Sequence, residues 1–205
     1  MVESNDQTHW DKAWDHRDPD GTSWYQPEPT MSLALIDMVA PGPDAGIVDV
    51  GGGASYLVDH LINRGHRDVT VVDIAAEALT HAQSRLADRP GVHWIVADAT
   101  TWRPGRTFDL WHDRAVFHFL TDQAQRASYI RTATESIVSG GHLIIGTFAF
   151  DGPTMCSGLP VRQYDAASLA EEFDAGFRLI HSTVDDHVTP SAGKQRFTFV
   201  VLQRR

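Results

Sequence analysis

Three apolar runs in this chain each end in an acid: "GIVDV" carries Asp49, "VTVVD" closes on Asp73 and "VHWIVAD" on Asp98. Directly behind the first stand Gly51, Gly52 and Gly53. Glycines between a strand and a helix let the chain reverse tightly, and they expose backbone N–H groups at a helix N-terminus. Asp73 follows at roughly 20 residues' distance, where a carboxylate can accept both hydroxyls of a ribose. Asp98, beside Ala99, can accept a hydrogen bond from an adenine amino group. Two blander readings stand alongside. The glycines could serve the turn alone, and acids at strand ends could merely cap helices.

Alternating strand and helix signals supply the frame for these residues. After Ile47 come strands at "GIVDV", "VTVVDI", "VHWIVADA", "FDLWHD" and "HLIIGTFAF", the last near-continuously apolar and so expected to be central. Helical stretches intervene at "SYLVDHLINRG", "AAEALTHAQSRLADRPG" and "TDQAQRASYIRTATESIVSGG", with "DAASLAEEFDAG" after the fifth strand. "FRLIHSTVDDHV" and "KQRFTFVVLQRR" then alternate like two antiparallel strands joined by "TPSAG". The expected fold is α/β and Rossmann-like: a mostly parallel sheet, a C-terminal antiparallel pair, and helices on both faces. A length of 205 residues favours one domain, 1–205, with a core over 31–205 and an aromatic-rich lid over 1–30.

Composition narrows the partners. The formal net charge is -10 and no Lys/Arg cluster occurs, which argues against nucleic acid. No apolar run is long enough to span a bilayer, and the polar, acidic N-terminus does not read as a signal peptide. Cys156 is the single cysteine, which fits a reducing cytoplasm and excludes a CxxC metal site. No metal is expected.

The turn itself separates cofactors. A dinucleotide fingerprint needs G-x-G-x-x-G, but Tyr56 stands where its last glycine belongs, and Asp49 would sit poorly beside a pyrophosphate. That weakens a nicotinamide dehydrogenase. From Ile47 to Phe150 the chain resembles the class I S-adenosylmethionine-dependent methyltransferases, whose first motif is [DE]-x-G-x-G-x-G, with Ser55 where a third glycine is usual. The family's sheet has seven strands, which agrees with the terminal pair. The resemblance implies that Asp49, the Gly51–Gly53 backbone and Ser55 hold the methionine part of S-adenosyl-L-methionine. It places Asp73 and Ile74 on ribose and adenine, Asp98 and Ala99 on the adenine edge, and Asp113 at the fourth motif, facing donor and acceptor. The product would be S-adenosyl-L-homocysteine.

Methyl transfer from a sulfonium is an in-line displacement, so an enzyme mainly aligns the nucleophile and removes a proton where one must go. His118 and Asp113 are the candidate proton-handling residues; His112 is expected to pack behind the sheet. Trp24 and Tyr25 could cover the donor and acceptor, aromatic faces being attracted to the sulfonium, although a helix stapled by Trp10 and Trp14 serves equally as a reading of this segment. Met155, Cys156, Leu159 and Arg162 could line the acceptor side, and His187 and Gln195 could close it. Three functions remain: methylation of a small molecule at O, N or S, methylation of a protein lysine, and a non-catalytic donor-sensing domain.

Overall fold

The structure is a computed structural model that describes residues 5–14, 18–87 and 89–205. Parts of the 1–30 segment, residues 1–4 and 15–17, lie outside the described residues. Two helices come first, α1 (Asn5–Trp14) and α2 (Thr30–Val39). Strand β1 (Ile47–Val50) then enters the sheet, followed by α3 (Leu57–Asn63), β2 (Val69–Asp73), α4 (Ala76–Leu86) and β3 (Val92–Val96). The second half runs β4 (Phe108–Arg114), α5 (Gln123–Ser136), β5 (Ile137–Phe148), a small hairpin β6 (Met155–Cys156) and β7 (Leu159–Pro160), α6 (Ala166–Glu171), β8 (Phe177–Val188) and β9 (Lys194–Arg204).

Seven strands form one sheet in the order β3-β2-β1-β4-β5-β9-β8. Pairing is parallel from β3 through β5, whereas β9 runs antiparallel to both β5 and β8. The order reverses between β1 and β4, and a crevice opens outside the carboxyl ends of strands at such a switch point.

Alternation along the strands divides the core between two faces. On one face Val48, Val50, Trp111, Leu143 and Ile145 pack with Tyr129 of α5 and Leu169 of α6. On the other, Ile47, Val71, Leu110 and Ile144 pack with Leu33 and Ile36 of α2, Leu61 of α3 and Leu79 of α4. Helices therefore cover both sides, as the pattern of βα units requires.

One boundary differs from the sequence expectation. "IVSGG", read there as the end of a helix, opens β5: α5 stops at Ser136, Ile137 pairs with Phe108, and the register shifts before His142 pairs with Leu110. Asp122 caps α5 by accepting from the N–H groups of Ala124 and Gln125.

Candidate functional site

Two connected depressions lie at the carboxyl ends of β1, β2 and β4, sharing Trp14, Trp24, Gly51 and Arg114 in their walls. The smaller, about 70 Å³, is bordered by Asp49, Gly51, Gly52, Gly53, Ser55 and Tyr25. The larger, about 300 Å³, takes Asp73, Ile74, Asp98 and Ala99 on one side and Trp10, Phe119, Phe148, Cys156, Leu159 and Phe197 on the other.

The small chamber depends on the bare backbone. Gly51 has φ +69°, and a Cβ there would lie 2.0 Å from Val116 Cγ2; a Cβ on Gly52 would lie 2.6 Å from Asp49 Oδ2. The main chain thus passes against the carboxylate with no room for a side chain. Asp49 is buried and held from behind: its Oδ1 lies 2.7 Å from His112 Nδ1, while His112 Nε2 lies 2.9 Å from the Ser32 hydroxyl. Asp49 Oδ2 is buried without a partner, an acceptor of the kind that an ammonium group satisfies. Ser55 Oγ accepts from Leu57 N–H and starts α3. Tyr25 meets Tyr56 edge-on at 5.9 Å between ring centres.

The large chamber has an acidic end, formed by Asp73 and Asp98. Asp73 Oδ1 accepts from Ala75 N–H at 2.9 Å. Burial, with the nearby Asp49 charge adding to it, pushes the Asp73 carboxyl up to about 7 despite the backbone N–H groups of Ala75 and Ile74. Asp98 Oδ1 accepts from the N–H and hydroxyl of Thr100 at 2.8 and 2.7 Å, which fixes this acid against the chamber wall.

The other end differs from the sequence expectation in several places. Asp113 does not face the chamber: it is fully buried, and its carboxylate accepts from Val116 N–H, Phe117 N–H and the Tyr129 hydroxyl. Its role here is to close the turn after β4, and burial raises it to about 6. His118 is likewise enclosed, with its ring between Phe119 and Phe148 and its Nδ1 accepting from Phe148 N–H at 3.3 Å. Burial, and then the Arg114 charge, lower it to about 3, so it stays neutral and lies outside the chamber wall. Neither residue is placed to take a proton from an acceptor. Met155 is exposed and Arg162 pairs with Glu172 at 3.3 Å; neither lines the chamber, whereas Cys156 does. Burial pushes the Cys156 thiol up, which makes it a wall rather than a nucleophile. His187 donates or accepts through Nε2 at the Ser23 carbonyl, 2.8 Å away, and so tethers the N-terminal loop.

Arg114 escaped the sequence reading. It follows Asp113 at the end of β4, where strand alternation turns it to the opposite face of the sheet, onto Phe197 at 4.5 Å. A lone arginine in a sequence carries no signal until the fold shows what surrounds it. Among the described residues no cluster of three or more His, Cys, Asp or Glu is disposed to hold a metal ion.

Comparison with known proteins agrees with this geometry. Residues 47–141 match the family model described as a methyltransferase domain. Nodulation protein S of Rhizobium tropici is 27% identical over 113 residues, which are 55% of this chain and 47% of that protein. An uncharacterised methyltransferase of Mycobacterium tuberculosis is 33% identical over 127 residues, 62% of this chain and 61% of that protein. The chain thus spans about half to three fifths of the length of these curated relatives. In fold it matches the N-methyltransferase NodS from Bradyrhizobium japonicum WM9, solved with S-adenosyl-l-homocysteine, at a TM-score of 0.73 and 15% identity, covering 95% of this chain and 97% of that one. The fold is that of the class I S-adenosylmethionine-dependent methyltransferases. The match of residues 47–141 to the methyltransferase-domain model agrees with that fold.

Proposed function

We propose that the protein transfers a methyl group from S-adenosyl-L-methionine to an O, N or S atom of a small molecule. One observation carries the reading: the glycine turn and the acids ending β1, β2 and β3 converge on one continuous crevice of nucleoside and amino-acid character. The unpartnered Asp49 Oδ2 suits the donor's ammonium, with Gly51 to Gly53 and Ser55 beside it. Asp73 would accept from the ribose hydroxyls, Ile74 and Ala99 would pack on the adenine, and Asp98 would meet its amino edge. When bound, the donor supplies an electrophilic methyl already activated by positive sulfur; the protein's part is to align the acceptor and exclude water.

The acceptor side favours a small molecule over a protein lysine. Its walls are Trp10, Trp24, Phe119, Phe148, Cys156 and Phe197, a largely apolar and aromatic pocket of about 300 Å³, the size and lining that suit a small molecule. Trp24 and the N-terminal helix serve as the lid over it. The names of the NodS neighbour, an N-methyltransferase, and of the mycobacterial relative, an uncharacterised methyltransferase, support methyl transfer without fixing the acceptor. We read residues 1–205 as one domain acting in the cytoplasm; among the described residues no helix is long and apolar enough to cross a membrane.

Calorimetry tests the reading directly. S-adenosyl-L-homocysteine should bind and NAD should not; failure of the first, or binding of the second, overturns it. With labelled donor and a cell lysate, label should enter the small-molecule fraction. Label on a protein band would favour the lysine alternative, and binding without any turnover a sensor.

A further inference from the structure

The acceptor chamber holds a cation that no carboxylate among the described residues pairs with directly. Arg114 Nη1 donates to the Trp24 carbonyl at 3.1 Å, but its Nε and Nη2 are buried and have no hydrogen-bond partner. Among the described residues no carboxylate forms an ion pair with it; Asp185 acts on it only at a distance. Its guanidinium lies over the Phe197 ring, and Phe197 belongs to the large chamber and not to the small one. A second orphan lies in the same wall: Gln195 Oε1 is buried without a partner. Gln195 carries both an acceptor and two donors and can present its Nε2 when an anion is there.

A buried guanidinium with two unpaired nitrogens is costly unless something completes it. The donor's ammonium, ribose and adenine have Asp49, Asp73 and Asp98, which leaves its carboxylate as the one donor group Arg114 could serve. Arg114 could reach the donor's own carboxylate through the small chamber, which it also borders. The geometry points the other way: the Phe197 ring it stacks on lines the large chamber and not the small one, as do Gln195 and Cys156.

Resting on the methyltransferase reading, we propose that Arg114, with Gln195, is the anion-binding subsite of the acceptor chamber, and that the acceptor is a small molecule of largely apolar body that binds with a negative oxygen or sulfur against this guanidinium. The aromatic and aliphatic walls take the body, and the planar fork takes the charge. An acceptor that arrives ionised also has no proton to lose, which suits a chamber whose candidate bases are packed away. If the ionised atom attacks, its lone pair forms the bond to the methyl carbon while the carbon–sulfur pair stays on the departing sulfur. An anion and a sulfonium become two groups without those charges, and the product loses its attraction for Arg114.

Benzoate and benzamide, which share a shape and differ in charge, are the probes. Calorimetry should show benzoate binding at least tenfold more tightly than benzamide, with and without S-adenosyl-L-homocysteine. The preference should vanish in Arg114→Met and persist in Arg114→Lys, with the homocysteine product's own affinity unchanged in both. Equal binding of the two probes, or a benzoate preference that survives Arg114→Met, overturns the proposal. So does a drop of tenfold or more in S-adenosyl-L-homocysteine affinity in a folded Arg114→Met protein, because the arginine would then be holding the donor. Complete absence of S-adenosyl-L-homocysteine binding in the unaltered protein would instead defeat the methyltransferase reading, while the two probes on the protein alone still decide the anion site.

Discussion

Asp73 links ligand chemistry to the stability of the fold. Its folded value of about 7 lies above that of a carboxyl in an unfolded chain, roughly 4. Between those values the native state retains a proton that the unfolded state gives up, so this group makes the fold less stable as pH rises through the window. Ribose hydroxyls, in contrast, donate to the ionised form. Affinity for S-adenosyl-L-homocysteine should therefore rise between about pH 6 and about pH 8. Asp73→Asn should melt at a higher temperature than the unaltered protein at the upper pH, yet bind the product about 1–3 kcal/mol more weakly. Calorimetry across the pH range that returned a flat affinity would remove Asp73 from the ribose site. Asp73 and Asp98 were visible in the sequence because each closes an apolar run, a purely local pattern. Asp113 and His118 looked equally suitable, but their surroundings come from afar: Tyr129, on α5, closes over Asp113, and Phe148, on β5, shuts in His118. No spacing in the chain reports which side of β4 a residue will face once its neighbours are packed.

Among the elements, the passage from β1 to α3 tolerates least change. Gly51 needs a left-handed backbone, and any β-carbon on it would drive into Val116, the residue that begins the turn closed by Asp113. Gly51→Ala should lower unfolding stability by about 2–3 kcal/mol, from backbone strain together with overpacking. It should also weaken product binding, since the crevice narrows at its centre. Gly42→Ala is the matched control: nothing lies within 4 Å of the added carbon and no unusual φ is required. Denaturant unfolding should put that variant within about 0.5 kcal/mol of the parent. Strands and helices around this turn were legible from their periods, as was the antiparallel end of the sheet. The start of β5 was not, because Gly140 and Gly141 look like a helix stop. Only the pairing of Ile137 with Phe108, a tertiary fact, draws the preceding residues into the sheet.

For the whole molecule, the N-terminal segment joins the two halves of the crevice. α1 packs beside α4, and its Trp10 and Trp14 converge on Trp24, with ring centres 6.4 and 5.9 Å away. Arg114 and His187 pin the carbonyls of Trp24 and Ser23 from β4 and β8, so the roof is tied at two points to the β4 half of the sheet. This arrangement answers the choice between lid and staple that the sequence left open only in part: the same tryptophans pack on the core and border the chamber. An optical consequence follows. Half of the chain's six indoles, Trp10, Trp14 and Trp24, stand at the mouth of the crevice, so filling it should change the colour and intensity of the protein's native ultraviolet emission without any attached dye. Titration in a fluorimeter should trace the same saturation curve as calorimetry, and Trp24→Phe should remove much of the signal while the heat of binding persists. The roof would then serve as the molecule's own gauge of occupancy.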